Sequence, residues 1–354
     1  MSRSTKSCCS RSPADRAGAL LLALALAWTL AGCGSPAGQE PDTLRLGVAL
    51  YSQDDTFIAS LTQELERMVQ EAEVAQGRKI NISVVDGANN QTTQMEQVDR
   101  FLDRGYDVLL VNIVDRTAAA VIIDKAEAAG VPVIFFNRQP VAEDIDYRER
   151  VYYVGARAEE SGALQGKLVL DAWRDEVLGL DRNGDGVLQY VMLEGEPGHQ
   201  DSLLRTEWSV KTLTDAGVAV EKLDGDAANW NRGQAAAKMA QWLDEFGDGI
   251  EVVFSNNDDM ALGAIDAIRA REGFGALVVG VDGTAPALEA VASGELYGTI
   301  LNNGKGIAKA MLDLALALAD GRDPAQAVDL ENGHYVWLPY QTIDGWNLDQ
   351  FLEN

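Results

Sequence analysis

The chain reads as an α/β protein made of two doubly wound parallel-sheet lobes, and three features of the sequence predict this. From Leu44 onward short runs rich in Val, Ile and Leu recur: LRLGVAL, INISVVD, VLLVNIV, VPVIFF, VYYVG, LQYVMLEG, VAVEKL, IEVVFSN, LVVGVD and LYGTIL. Between most of them lie roughly 12 to 20 residues with apolar side chains at helical spacing, such as Phe57-Leu61-Leu65-Met68 and Leu164-Leu168-Ala172. Strands alternating with helices form parallel sheets covered on both faces, and runs apolar at both parities are what such strands require. About ten strands are too many for one sheet of about five or six, so two sheets are expected.

Before the first strand stands an address. A basic opening (Arg3, Lys6, Arg11, Arg16) leads into the apolar run 17–30 and then Leu30-Ala31-Gly32-Cys33. The run falls short of the about 20 residues a membrane span needs, and the small residues before Cys33 suit a signal peptidase. The reading is a lipoprotein signal peptide at 1–32, with Cys33 as the lipidated first residue of the mature chain, and a Ser-, Pro- and Gly-containing tether at 33–43. The other two cysteines, Cys8 and Cys9, lie in the segment removed, so the mature chain has no internal disulfide to form. The lobes are expected at 44–132 with 303–337, and at 133–302 with 338–354.

The net charge is −26, and removing the basic leader makes the remainder more acidic still. Such a surface repels nucleic acid and anionic lipid headgroups.

In doubly wound sheets ligands bind beyond the carboxyl ends of the strands. Those positions hold Asp54 and Asp55 after GVALYSQ, Asn112 and Asp115 in VNIVD, Asn137 after VIFF, and His199 and Asp201 after MLEGEPG. They continue with Asn256 to Asp259 after VVFS, Asp282 after VVGV, and Asn302 and Asn303 after GTIL. Asn and Asp are favoured helix N-caps, which is the plainer explanation for any one of them. As a set they suit a polyhydroxylated ligand held between two lobes.

The segment 181–189 places oxygen donors Asp181, Asn183, Asp185 and Gln189 at positions 1, 3, 5 and 9 of a calcium loop, with the Val187 carbonyl at 7 and Gly186 at the sharp turn. Position 12 is Met192, where such a loop normally has Glu, so a remote carboxylate has to complete the shell. A strand rather than a helix follows, which suits a structural Ca2+ ion better than a sensor.

Asp201 and Arg205 stand one helical turn apart after His199. A carboxylate accepts hydroxyl protons, a guanidinium donates, and a neutral imidazole does either. The alternative for such a pair is a surface salt bridge of a few tenths of a kcal/mol. Phe57 and Trp230 offer flat rings for the C–H face of a sugar.

At these residues the sequence closely resembles the galactose- and glucose-binding branch of the periplasmic binding protein family. The likeness runs from about Leu46 to Phe351 and includes GVALYSQDDTF, VNIVDRTAA, PVIFFNRQP, ESGALQGKL, DRNGDGVLQ, LEGEPGH, EVVFSNNDDMALGA, GVDG and GTILNN. The resemblance implies a hinged type I periplasmic binding protein fold that holds a free hexose without altering it chemically. Its hydrogen-bonding partners would be Asp55, Asn112, His199, Asp201, Arg205, Asn257, Asp282 and Asn302, with Phe57 and Trp230 on opposite sugar faces. Glu251 would supply the carboxylate missing from the calcium loop. The implied partners are a monosaccharide, an ABC sugar permease and a chemoreceptor, with no nucleic acid, for a monomer held at the extracytoplasmic membrane face by its lipid alone. Asn231 and Gln200 depart from the family pattern at positions not assigned to the ligand.

A receptor for another pyranose, a pentose or a furanosyl signal shares the fold. The rival from another class is a glycosidase with Glu196 and Asp201 as its carboxylates. With only His199 and His334 in the chain, Ser/His or zinc-His chemistry is poorly supplied.

Overall fold

The structure, a computed structural model, describes residues 43–175, 178–271 and 273–352. The predicted signal peptide, Cys33 and all but the last residue of the tether lie outside these residues. Twelve strands occur among those described: β1 (Leu44–Leu50), β2 (Ile80–Asp86), β3 (Val108–Val111), β4 (Val133–Phe136), β5 (Val151–Gly155), β6 (Val187–Glu194), β7 (Ala219–Ala227), β8 (Val252–Ser255), β9 (Leu277–Val279), β10 (Gly298–Leu301), β11 (Tyr335–Trp337) and β12 (Gln341–Asp344). They form two six-stranded sheets, ordered β11-β5-β4-β3-β1-β2 and β12-β10-β9-β8-β6-β7. The predicted parallel pairing holds except at β12, which runs antiparallel to β10.

Burial on both faces explains the continuous apolar runs. In β3, Val108 and Leu110 join a core with Leu46 and Val48 beneath the helices Thr56–Gln76 and Gly304–Ala319. Leu109 and Val111, of opposite parity, join Phe101, Ile122 and Phe135 on the other face. Each such side chain contributes about 1.5–3 kcal/mol by leaving water. The second sheet repeats the scheme, with Val191 and Val253 in one core and Met192 and Phe254 in the other.

The expected lobe boundary after residue 132 is wrong. Val133 of β4 pairs with Leu109, and β5 pairs with β4 through Val133↔Val151, so both strands belong to the first sheet. Local pattern marks a strand but not its sheet, which is decided by pairing partners distant in sequence. The chain instead crosses between Gly155 and the helix Ala158–Arg174, which packs on the second sheet. It returns between β10 and the helix Gly304–Ala319, and crosses a third time between β11 and β12, as the sequence boundaries at 302/303 and 337/338 expect.

Each sheet reverses its winding once, between β1 and β3 and between β6 and β8. At such switch points the carboxyl ends open into a crevice. The segments after these four strands carry Asp55, Asn112, His199 and Asn257.

Candidate functional site

Beyond β1 the chain turns into the helix Thr56–Gln76, and Asp55 caps it by accepting the Ile58 N–H at 2.9 Å on Oδ1. Its Oδ2 accepts the Tyr51 hydroxyl at 2.5 Å. Capping and cavity lining are therefore not alternatives here, because one carboxylate does both. Asn257 does the same for the helix Asp258–Arg269, accepting the Met260 N–H at 3.0 Å.

His199 caps the helix Gln200–Asp215, with Nδ1 accepting the Asp201 N–H at 3.1 Å. That bond puts the proton of the neutral ring on Nε2, making it a donor. Burial first, then the charges of Arg138, Arg205 and Arg116, push the imidazole pKa well below its ordinary 6.5.

Asp201 and Arg205 do not form a surface bridge. Their relative exposures are 8% and 3%, and Arg205 Nη2 donates to Asp201 Oδ2 at 3.1 Å and to the Tyr340 hydroxyl at 3.2 Å. Nη1 donates to the Asn256 carbonyl at 2.8 Å and lies 3.7 Å from Asp282 Oδ1. Burial raises the pKa of both carboxyls, opposed by Arg205. Asp282 is also held at φ +126°, a conformation costing of the order of 1–3 kcal/mol for a side-chain-bearing residue. Its N–H donates to Ile300 O and its carbonyl accepts from Asn302 N, at 2.8 and 3.0 Å, which fixes it there.

Trp230 is likewise left-handed, at φ +62°, and meets His199 edge-on with ring centroids 5.1 Å apart. Gly195 makes room for it, since a Cβ there would stand 2.1 Å from the indole carbons. Phe57, 8% exposed, comes from the other lobe.

These groups meet in one cavity between the carboxyl ends of the two sheets. It is lined by Asp55, Phe57, His199, Asp201, Arg205, Trp230, Asn257 and Asp282, together with Tyr51, Ile58, Asn137 and Arg138. Eight of the ten residues expected at a ligand site are thus brought together. Asn112 and Asn302 are not in the wall: each is buried with Oδ1 unpartnered, and Asn112 donates to the Phe136 carbonyl and to Asn137 Oδ1. Asn112 therefore stands behind Asn137, itself left-handed at φ +59°.

Sequence reasoning missed Tyr51 and Arg138. Arg138 is 5% exposed, with its guanidinium 3.4 Å over the Tyr51 ring, and pairs across the cleft with Glu196 at 2.9 Å. Tyr51 directly follows β1, and Arg138 stands two residues past the end of β4. A reading that admitted any hydrogen-bonding side chain there, rather than mainly Asn and Asp, would have found them.

Away from the cleft, the segment 181–189 runs into β6, which begins at Val187. Asp185 Oδ2 accepts from Asn183 Nδ2 and Gln189 Nε2, both at 3.0 Å, while Asp181 accepts the N–H groups of Gly184, Asp185 and Gly186. Glu251, 1% exposed, closes the loop from the position just before β8, accepting Arg182 N at 2.7 Å and Gln189 N at 3.0 Å. Met192, at position 12, is a fully buried core residue of β6. Among the described residues no three His, Cys, Asp or Glu side chains converge as a metal centre.

Residues 46–323 match the model of the periplasmic binding protein domain. The D-galactose/methyl-galactoside binding periplasmic protein of Haemophilus influenzae is 39% identical over 87% of this chain and 92% of its own length. A xylitol-binding protein of Mycolicibacterium smegmatis is 30% identical over 87% of this chain and 82% of its own. Among solved structures, an ABC transporter solute binding protein of Bacillus halodurans with bound myo-inositol superposes with a TM-score of 0.71 at 27% identity, covering 88% of this chain and 98% of that one.

Proposed function

This chain belongs to the periplasmic binding protein family, and from that premise we propose that it is an extracytoplasmic receptor for a free hexose, D-galactose or D-glucose, which it passes to an ABC permease. The observation that carries the reading is the cavity, where Asp55 and Phe57 of one lobe face the buried Asp201, Arg205 and Asp282 and the Trp230 ring of the other. Carboxylates accept hydroxyl protons, Arg205 and the Nε2–H of His199 donate, and two rings cover C–H faces. The likeness to the D-galactose/methyl-galactoside binding protein, at the higher identity, favours a hexose over the xylitol of the other relative.

The receptor reading also fits better than a glycosidase. Of the two rival carboxylates, Glu196 is engaged with Arg138 and Asp201 with Arg205, each in an ion pair. Lipidation at Cys33 would anchor the receptor at the membrane face; among the described residues no helix is long and apolar enough to cross a membrane.

A structural Ca2+ ion fits the loop 181–189. Asn183 and Gln189 both turn toward Asp185, so rotating their amides presents oxygens to the same point, beside Glu251 and Asp181. The ion would hold the loop to β6 and β8. It would supply no chemistry to the cavity.

Calorimetry against a panel of hexoses, pentoses, furanosides and glucosides tests the proposal. Saturable binding of galactose or glucose, with glucosides recovered unchanged, is the expected result. Release of aglycone, or binding of pentoses or furanosides alone, would overturn it.

A further inference from the structure

A second chamber opens beside the sugar cavity, and nothing in the receptor reading uses it. Its volume is about 630 Å³. Both lobes contribute: residues 114–117 follow β3, Arg138, Gln139 and Val141 follow β4, and residues 196–200 follow β6. It shares Arg138 and His199 with the sugar cavity.

The chemistry of the walls selects the guest. Two cations, Arg116 and Arg138, are balanced by Asp115 and Glu196, and the Arg138–Glu196 pair is closed at 2.9 Å. The formal charges of the wall thus sum to zero, and no net field selects a charged guest. Gln139 and Gln200 bridge the lobes at 3.1 Å, and buried polar atoms of two wall residues, Arg116 Nε and Gln200 Oε1, have no hydrogen-bond partner. One is a donor and the other an acceptor, as hydroxyl groups require. Pro197, Val114 and Val141 add apolar surface for a ring face.

We propose that this outer chamber is a second ligand subsite, which takes the neutral, hydroxylated second ring of a disaccharide whose first ring is the hexose in the inner cavity. The proposal rests on the hexose reading of that cavity. The glycosidic oxygen passes between the two spaces beside Arg138 and His199, and the receptor delivers glycosides intact as well as free hexoses.

The test is calorimetry on the full chain with galactose, glucose, lactose, melibiose, maltose, isomaltose and trehalose, repeated on Thr117→Trp and Val141→Trp. Both variants fill the outer chamber, and neither residue lines the inner one. At least one disaccharide is expected to bind within about tenfold of its parent hexose. Either tryptophan should weaken that disaccharide by at least about tenfold while leaving the free hexose within about twofold. If one variant fails to fold, the other carries the same comparison. Binding of hexoses with no disaccharide overturns the subsite and leaves the receptor standing, as does a disaccharide indifferent to every folded tryptophan variant. Absence of binding by any sugar defeats the receptor reading itself.

Discussion

Replacing Asp201 separates what the buried charge does for the fold from what it does for the ligand. Asp201→Ala deletes the acceptor 3.1 Å from Arg205 Nη2, but the guanidinium keeps the Tyr340 hydroxyl at 3.2 Å, the Asn256 carbonyl at 2.8 Å and the Asp282 carboxylate at 3.7 Å. Removing one partner of an isolated buried pair costs about 3–5 kcal/mol. With three partners left, the stability loss should be about 1–3 kcal/mol, the range for one unsatisfied buried group. For the sugar, a hydrogen bond to a charged group contributes about 1.5–3 kcal/mol against about 0.5–1.5 for a neutral one. Asp201→Asn should therefore weaken binding by about tenfold per hydroxyl held, and Asp201→Ala by more. Denaturant titration gives the first quantity, and calorimetry with galactose, glucose and their monodeoxy analogues gives the second. One deoxy position should lose far less affinity in Asp201→Ala than in wild type. Equal losses at every position, or wild-type affinity in the mutant, would refute the assignment.

Gly195→Ala should drive the Trp230 ring out of place and weaken all hexoses nearly alike, approaching the roughly 2–4 kcal/mol loss expected of Trp230→Ala; calorimetry checks both, and full affinity in Gly195→Ala would show the ring has slack. Chelating calcium should lower the melting temperature more than the sugar affinity, since an ion at a hundredfold excess over its Kd adds about 2.7 kcal/mol to the folded state, and Glu251→Ala should mimic the chelator; equal melting curves would remove the ion. His199 stays neutral in the fold while the unfolded chain takes up a proton near 6.5, so its contribution to stability is complete above that pH and is lost as the pH falls from it toward the lowered folded value. Melting temperatures from pH 8 to 5 should show this fall and His199→Gln should lessen it, whereas identical profiles would place the titration elsewhere. With Arg138–Glu196 and Gln139–Gln200 joining the lobes, saturating sugar should reduce the radius of gyration in X-ray scattering; unchanged curves would mean a rigid receptor.

What the sequence disclosed follows the reach of its signals. Strand runs and helical spacing are local, so the two sheets and most site positions could be read directly. The lobe assignment of β4 could not, because Val133 resembles the start of any buried strand and only its pairing with Leu109 and Val151 decides the sheet. Asn112 shows a second limit. Strand-end position brings a side chain close to a crevice, but packing decides whether it lines the cavity or braces a neighbour, as the Asn112 amide does in donating to Asn137 Oδ1. Arg138 shows a third, since a long cation lying on Tyr51 has no periodicity to betray it.

The threefold crossing also has a consequence for the order in which the molecule can assemble. A chain emerging from the ribosome presents β1 to β5 first, yet the helix Gly304–Ala319, whose Ile307, Met311 and Leu314 roof the core over Leu46 and Val48, comes more than a hundred residues later. Until β11 arrives, β5 is a bare sheet edge of the kind that invites wrong partners. The lobe synthesised first thus waits for its roofing helix until after residue 302, by which point the second lacks only its edge strand β12 and the residues beyond it, and a fragment ending at residue 302 should yield a folded second lobe more readily than a folded first one.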